Sequence, residues 1–289
     1  MCTVTLHARR DGYALGMNRD EKRTRAIALP PSLLRLGPRL ALGPTEPGGG
    51  TWIGVNDHGV TLALINWYSV TKRVEGKARS RGEVVLAALR ALDGAQAAER
   101  VARLPLPQIN PFRLIGVFPA EQAVVEWQWD LRRLKEVRHP WRTATWISSG
   151  YDEPGAQRTR GAVLRAALGQ SDAGSPAWLR RFHRSHRPKR GAYSICMHRE
   201  DAVTVSYTEV QFAKGRATMR YLGGSPCEAT PERLARQQLA IRAGASPARA
   251  RMRPSRAFPK TEGRQRRARG KANAHGAASL SAAVRSVAG

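Results

Sequence analysis

The sequence predicts an α+β fold, a layered sandwich rather than a doubly wound parallel sheet, on three observations. Paired apolar runs separated by tight-turn residues open the chain, and Ala-rich segments with helical apolar spacing follow. Strands, then helices, then a last pair of strands come after them, an order that suits antiparallel sheets with helices packed on them. In 289 residues, 42% hydrophobic with seven tryptophans, there is apolar material for one sizeable core or two small ones.

The first pair of strands is Cys2–His7, alternating Cys-Thr-Val-Thr-Leu-His, and Tyr13–Met17, with Asp11-Gly12 in the turn between them. A second hairpin, Thr51–Val55 and Val60–Asn66, turns at Asn56-Asp57-His58-Gly59; its strands are almost wholly apolar, which predicts burial on both faces. Residues 82–93 and the Ala-rich stretch to Leu104 read as helical by propensity and spacing. Strands resume at Phe112–Phe118, Ala123–Trp129 and Ala144–Ser148, and helices at Gly155–Leu168 and Pro176–His183. A third hairpin is read at Ala192–His198 and Ala202–Val210, turning at Arg199-Glu200-Asp201. A last helix is read at Pro231–Arg242, and residues 244–289, dominated by Pro, Gly, Arg and Ala, read as disordered. The chain is thus organised as a domain over 1–228, a short helical extension over 229–243 and a basic tail over 244–289.

The net charge of +27 implies affinity for polyanions at low salt. Residues 229–289 carry +12 of it, and no helix-turn-helix, zinc-finger or RRM pattern accompanies the charge, so nucleic-acid contact is expected only non-specifically, through the tail. With no run of eighteen apolar residues and no charged-then-apolar leader, a cytoplasmic protein without a membrane span is expected. Cys2, Cys196 and Cys227 are odd in number and lack CxxC spacing, which argues against a disulfide framework and a structural zinc.

Chemistry concentrates at the N-terminus. Methionine before cysteine is normally removed, which would leave Cys2 with a thiol and a free α-amine. The amine titrates near ~7.7–8.0 and the thiol near ~8.5, so one residue supplies both nucleophile and base. Asn18-Arg19-Asp20-Glu21 then places four hydrogen-bonding side chains at the end of an apolar strand, where neither burial nor propensity requires them. An antiparallel hairpin turning near residues 8–12 returns Asn18 and Arg19 beside Cys2. Arg19 there can depress the thiol pKa and hold a substrate carboxylate or carbonyl, Asp20 can orient the ammonium, and Asn18 is a candidate substrate contact. The other reading of this charge run is a capped, solvated turn.

Met1-Cys2-Thr3, Asn18-Arg19-Asp20-Glu21, Gly49-Gly50-Thr51-Trp52-Ile53-Gly54, Leu64-Ile65-Asn66-Trp67-Tyr68 and Arg81-Gly82-Glu83 together resemble the NRDE family, also called the transport and Golgi organisation protein 2 family. The resemblance is strong over residues 1–90 and traceable through Val205-Ser206-Tyr207-Thr208-Glu209. That family is similar to N-terminal-nucleophile hydrolases, and the resemblance implies an αββα sandwich of two stacked antiparallel sheets. It also implies hydrolysis of a non-peptide C–N bond without a cofactor, with Cys2 as nucleophile, Arg19 and Asp20 as the charged pair and Asn66 as an oxyanion donor. Where a second asparagine would follow the mid-chain strand, this chain has Ser148-Ser149-Gly150. The alternative that the resemblance implies is a non-catalytic carrier of haem or of an acyl-CoA- or lipid-like ligand, so the expected partner is a small amphipathic or anionic molecule.

Gly48-Gly49-Gly50 lacks a following Lys-Ser/Thr and a helix, and reads as a tight loop before a buried strand rather than a phosphate cradle. His183, His186, Cys196 and His198 fit no standard metal-ligand spacing, so no metal is expected. The Arg180–Arg190 stretch reads as a solvated helix end, with an anionic ligand as the alternative. The tryptophans read as core, with Trp67 and Tyr68, directly after Asn66, as candidates for a pocket mouth.

Overall fold

The computed structural model describes residues 2–229 and 234–242. In chain order the elements are β1 (Cys2–Arg9), β2 (Gly12–Lys22), β3 (Leu29–Leu36), β4 (Arg39–Thr45), β5 (Ile53–Asn56), β6 (Thr61–Asn66), α1 (Gly82–Ala88) and α2 (Gly94–Ala102). They continue with β7 (Phe112–Phe118), β8 (Ala123–Trp129), β9 (Leu134–His139), β10 (Ala144–Ser148), α3 (Glu153–Leu168), α4 (Pro176–Arg184), β11 (Ala202–Ala213), β12 (Arg216–Gly223) and β13 (Ala235–Ala240).

The strands form two antiparallel sheets, one ordered β10-β1-β2-β11-β12-β13 and the other β3-β4-β5-β6-β7-β8-β9. Val4, Leu6, Leu15, Met17 and Val210 of the first sheet pack against Ile53, Val55, Ala63, Ile65 and Ile115 of the second, so the main core lies between the sheets. Strand alternation sends the other side chains outward to helices. Leu62, Leu64 and Leu114 meet Val84, Val85 and Leu89 of the α1 region and Val101 of α2, while Ala14 meets Leu164, Trp178, Leu179 and Phe182 of α3 and α4. Four layers result, helix, sheet, sheet, helix. This is the αββα sandwich that the resemblance implied.

Helix starts follow local chemistry. Asp93, Asp152 and Ser175 cap α2, α3 and α4 by accepting from the backbone N–H of Gln96, Gly155 and Trp178, and proline occupies the first turn of α3 and α4.

Two expected elements are different in the structure. Residues 192–198 are not a strand; only His198 bridges to Val203, and β11 pairs instead with β2 and β12. The segment folds back on itself, with the N–H groups of Ser194 and His198 both donating to the Gly191 carbonyl, and its Ile195 carbonyl accepts from Asn18. Its backbone is therefore committed to loop and side-chain partners. Residues 235–240 form β13 rather than part of a helix, because the edge of β12 offers a complete antiparallel ladder from Arg216↔Ala240 to Tyr221↔Ala235. Ladder pairing there outweighs modest helix propensity. The basic tail over 244–289, with its expected disorder and polyanion contact, lies outside the described residues. Among the described residues no helix is long and apolar enough to cross a membrane.

Candidate active site

The β1–β2 register places Cys2 opposite Arg19 and Thr3 opposite Asn18, while β10 brings Ser148 to the other side of Cys2. Because side chains alternate, the strand ends carry two different environments. Cys2, Val4 and Leu6 face the inter-sheet core with Met17, and Arg19 lies on the same side over the Trp52 ring. Thr3, Asn18 and Asp20 face the α3–α4 layer, where Arg160 reaches both Thr3 and Asp20.

On the inter-sheet side a cavity of about 440 Å³ opens, lined by Cys2, Arg19, Thr51, Trp52, Asn66 and Arg81, with Glu46 and Asn110 among its other walls. The glycine-rich loop forms one wall. Residues 46–50 close a tight turn, the Glu46 N–H donating to Gly50 and that of Gly49 to Glu46, with Gly49 at φ +85°. Gly50 then meets Gly82 at the start of α1 so closely that a Cβ on Gly82 would stand 2.7 Å from the Gly50 Cα. The Gly-Gly-Thr-Trp and Arg-Gly-Glu motifs are thus two sides of one close backbone contact.

Arg19 is 5% exposed, and its guanidinium lies 2.6 Å from Glu46 and 4.4 Å over the Trp52 ring. Its charge is already compensated by a carboxylate that also pairs with Arg25 at 2.6 Å. Arg81 differs: it hydrogen-bonds the Pro111 carbonyl, and no carboxylate salt-bridges it among the described residues. Burial pushes its pKa down, while Tyr68, Glu21 and Cys2 favour its charged form. The sequence reading used Arg81 only as part of a motif; no spacing rule points a residue before a helix into a cavity some eighty positions from the nucleophile.

Burial raises the Cys2 thiol pKa, and it outweighs the positive amino terminus and Arg19, which lower it; Asp20 and Glu21 raise it further. Arg19 lowers the thiol pKa, as the sequence reading expected of it, but desolvation of the buried residue is the larger effect and leaves the pKa raised. The resting group is a thiol that needs a base.

Asn66, at the end of β6, lines the cavity and donates its amide N–H to the Tyr68 hydroxyl at 2.9 Å. The Ser148 hydroxyl, paired in register with Cys2, is buried with no hydrogen-bond partner among the described residues. Tyr68 and Trp67 do not line the cavity; Tyr68 packs beneath Gly150 and beside Met197 and Ala202. Asn18, expected beside the substrate, points to the helix side, where its amide donates to the carbonyls of His183 and Ile195 at 2.9 Å each. Period-2 alternation explains that reversal: a neighbour of Arg19 in sequence faces away from it. Asp20 is likewise on the helix side, accepting from the Thr204 hydroxyl at 2.6 Å and from Arg160 at 3.4 Å, with both members of the Arg160 pair fully buried. Four of the residues expected from the sequence therefore cluster at the strand ends, with Cys2, Arg19 and Asn66 in the cavity and Asp20 behind it.

Three of the six cations in the Arg180–Arg190 stretch are ion-paired, Arg180 with Glu209, Arg181 with Asp172 and Arg190 with Glu228. A larger cavity, about 1060 Å³, lies between α3 and α4 on the outer side of the first sheet, lined by Ala162, Val163, Ala166 and Phe182 together with Arg184 and Arg187. His183 is buried under Gly16 and apart from the other histidines, whereas His186, Cys196, His198 and Cys227 converge. The spacing that argued against a metal spans separate loops, which the fold brings together.

Residues 1–128 match the family model described as Transport and Golgi organisation 2, the family that the N-terminal motifs resemble. No curated protein matches the chain significantly. Among solved structures, the C2A mutant of the conjugated bile acid hydrolase from Clostridium perfringens is 12% identical, with 83% of this chain and 92% of that one covered and a TM-score of 0.47. Penicillin V acylase from Agrobacterium tumefaciens is 9% identical over 77% of this chain and 83% of that one, with a TM-score of 0.45. The fold assignment stands on the sheet order and the four layers.

Proposed function

We propose, from the family assignment of residues 1–128, that the chain hydrolyses a non-peptide amide through Cys2 once Met1 is removed. The single observation that carries this reading is that Cys2, Arg19 and Asn66 share a cavity at the ends of β1, β2 and β6. The freed α-amine of Cys2 takes the thiol proton, and the sulfur attacks the amide carbonyl to form the C–S bond. Asn66, and the unpartnered Ser148 hydroxyl, are the candidate donors to the developing oxyanion. The C–N bond then breaks, the proton passes from the ammonium to the leaving amine, and water activated by the amine releases the acid and restores the thiol. Arg81, rather than the Glu46-bound Arg19, is the cation suited to an anionic group on the substrate.

The test is turnover of a panel of N-acyl amino acids and related anionic amides by three forms of the protein: processed, carrying one extra N-terminal residue, and Cys2→Ala. Activity confined to the processed form is expected, with Arg81→Met raising KM for anionic amides more than it lowers kcat. Full activity with the amine blocked would sink the reading.

A second reading is favoured by the cavity between α3 and α4, whose apolar walls and three arginines, Arg181, Arg184 and Arg187, suit an amphipathic anion such as haem or an acyl-CoA- or lipid-like ligand. Titration with haemin, followed by absorbance, checks it. Binding no tighter than to an unrelated protein of similar charge would count against it.

A further inference from the structure

We propose that His186, Cys196, His198 and Cys227 form a tetrahedral site for a borderline-soft divalent cation, with zinc as the chemical fit. Each residue offers one nitrogen or sulfur, and the four ligand atoms all lie within 4.8 Å of one another. The His198 Nε2 lies 3.5 Å from the Cys196 sulfur and 3.3 Å from that of Cys227. A tetrahedron with Zn–S of about 2.3 Å and Zn–N of about 2.0–2.1 Å has edges of roughly 3.3–3.8 Å. Both His198 contacts already have that spacing, and the remaining pairs, none beyond 4.8 Å, draw in on binding. A second observation points the same way: the His186 Nε2 is buried with no hydrogen-bond partner among the described residues, while its ring stands 5.0 Å from that of His198.

The alternative is a cluster of thiols and imidazoles held by weak hydrogen bonds, the two sulfur–imidazole contacts and one between the Cys196 and Cys227 thiols. It leaves the His186 nitrogen unsatisfied and asks His198 Nε2, which carries at most one hydrogen, to serve two sulfurs. Charge also favours the cation. Two thiolates and one divalent ion sum to zero, so the site adds no positive charge beside Arg190; the two thiol protons pass to solvent. Binding through Nε2 puts the remaining ring proton of His198 on Nδ1, so the Arg190 contact to that nitrogen, now 3.1 Å, gives way while Arg190 keeps Glu228 at 3.4 Å.

The four ligands come from the chain after α4, from the loop leading to β11 and from the turn after β12, three segments that no disulfide joins. Between the two ligands on that loop, Met197 donates its N–H to the Thr204 hydroxyl, which in turn donates to Asp20; just before Cys196, the Ile195 carbonyl accepts from Asn18. A bound metal would therefore fix the loop that holds the polar network behind Cys2.

The test uses the full chain without a histidine tag. Elemental analysis of protein purified without chelators should find about one zinc per chain. Titration of chelator-treated protein with Co(II) should produce the intense visible absorption of tetrahedral cobalt together with a thiolate charge-transfer band. Cys227→Ser should weaken Co(II) binding by more than about tenfold and reduce that band, while Cys2→Ser leaves it unchanged. Less than a tenth of an equivalent of metal with no thiolate band would overturn the proposal. So would a band that depends on Cys2, or a Cys196–Cys227 disulfide found by peptide mass in the protein as isolated. The wild-type metal content decides the matter even where a variant fails to fold.

Discussion

Cys2 and Arg19 stand opposite each other in the β1–β2 ladder, but the Arg19 charge is committed 2.6 Å away to Glu46. The thiol still feels that guanidinium, which lowers its pKa, but burial acts the other way and prevails. Removing the counter-charge should strengthen the guanidinium's field. Glu46→Gln is expected to speed alkylation of Cys2 at neutral pH by up to about tenfold, corresponding to a pKa lowered by as much as one unit, while Arg19→Met slows it. Peptide mass spectrometry across a pH series reads both rates. Equal rates in the two variants would show that the pair does not set the thiol.

The contact between Gly50 and Gly82 gives a sharper steric prediction. A Cβ on Gly82 would meet the Gly50 Cα at 2.7 Å and the Thr51 nitrogen at 2.8 Å, and both are backbone atoms that cannot rotate away. Gly82→Ala should thus destabilise the protein by about 1–3 kcal/mol despite the better helix propensity of alanine. Thermal unfolding checks this; a melting temperature equal to or above wild type would refute it.

Alternation made much of the fold legible. The Cys2–His7 and Tyr13–Met17 runs pair as read, and the apolar Thr51–Asn66 hairpin lies buried on both faces. Strands β3 and β9 went unread because their burial is broken or one-sided, as in Leu29–Leu36, where exposed and buried positions mix. Strands β4 and β12 went unread although their middles are buried, because Gly43-Pro44 and the arginines at 216 and 220 interrupt the apolar run. In the site, the sequence neighbours Asn18 and Arg19 read as one cluster, whereas the pleat divides them between two layers. Glu46 and Arg81 could not be found from spacing, since their roles depend on which loops the two sheets bring together.

His183 ties acid stability to one buried ring. It packs against Phe182 and Tyr207 with neither ring nitrogen hydrogen-bonded among the described residues, and burial together with Arg160 lowers its pKa from 6.5 to about 3. The folded state keeps it neutral while the unfolded state takes up a proton below 6.5. Its contribution is therefore complete above pH 6.5 and is lost as the pH falls toward 3. Between pH 7.5 and 5.0 the loss amounts to about 2 kcal/mol. Urea unfolding at those two pH values should show a fall in wild type that is smaller by this amount in His183→Phe. Identical pH dependence in the two proteins would remove His183 from the account.

Asp20 and Arg160 allow stability and chemistry to be separated. The pair is fully buried, and Arg160 also holds the Thr3 hydroxyl at 2.7 Å and the Ala192 carbonyl at 3.2 Å. Arg160→Met should cost about 3–5 kcal/mol because it takes the guanidinium away from a buried carboxylate, and adding Asp20→Asn should recover part of that loss. Asp20→Asn alone has a second effect. Asp20 raises the Cys2 thiol pKa, so its neutralisation should accelerate alkylation of Cys2. Amide turnover should move the opposite way if Asp20 orients the Cys2 ammonium, because a more ionised thiolate without a positioned proton donor cannot expel the leaving amine. Labelling and turnover are to be measured at a temperature where both proteins are folded. Faster labelling with slower turnover would assign Asp20 a positioning role; parallel changes in both would reduce it to a structural anchor for β1.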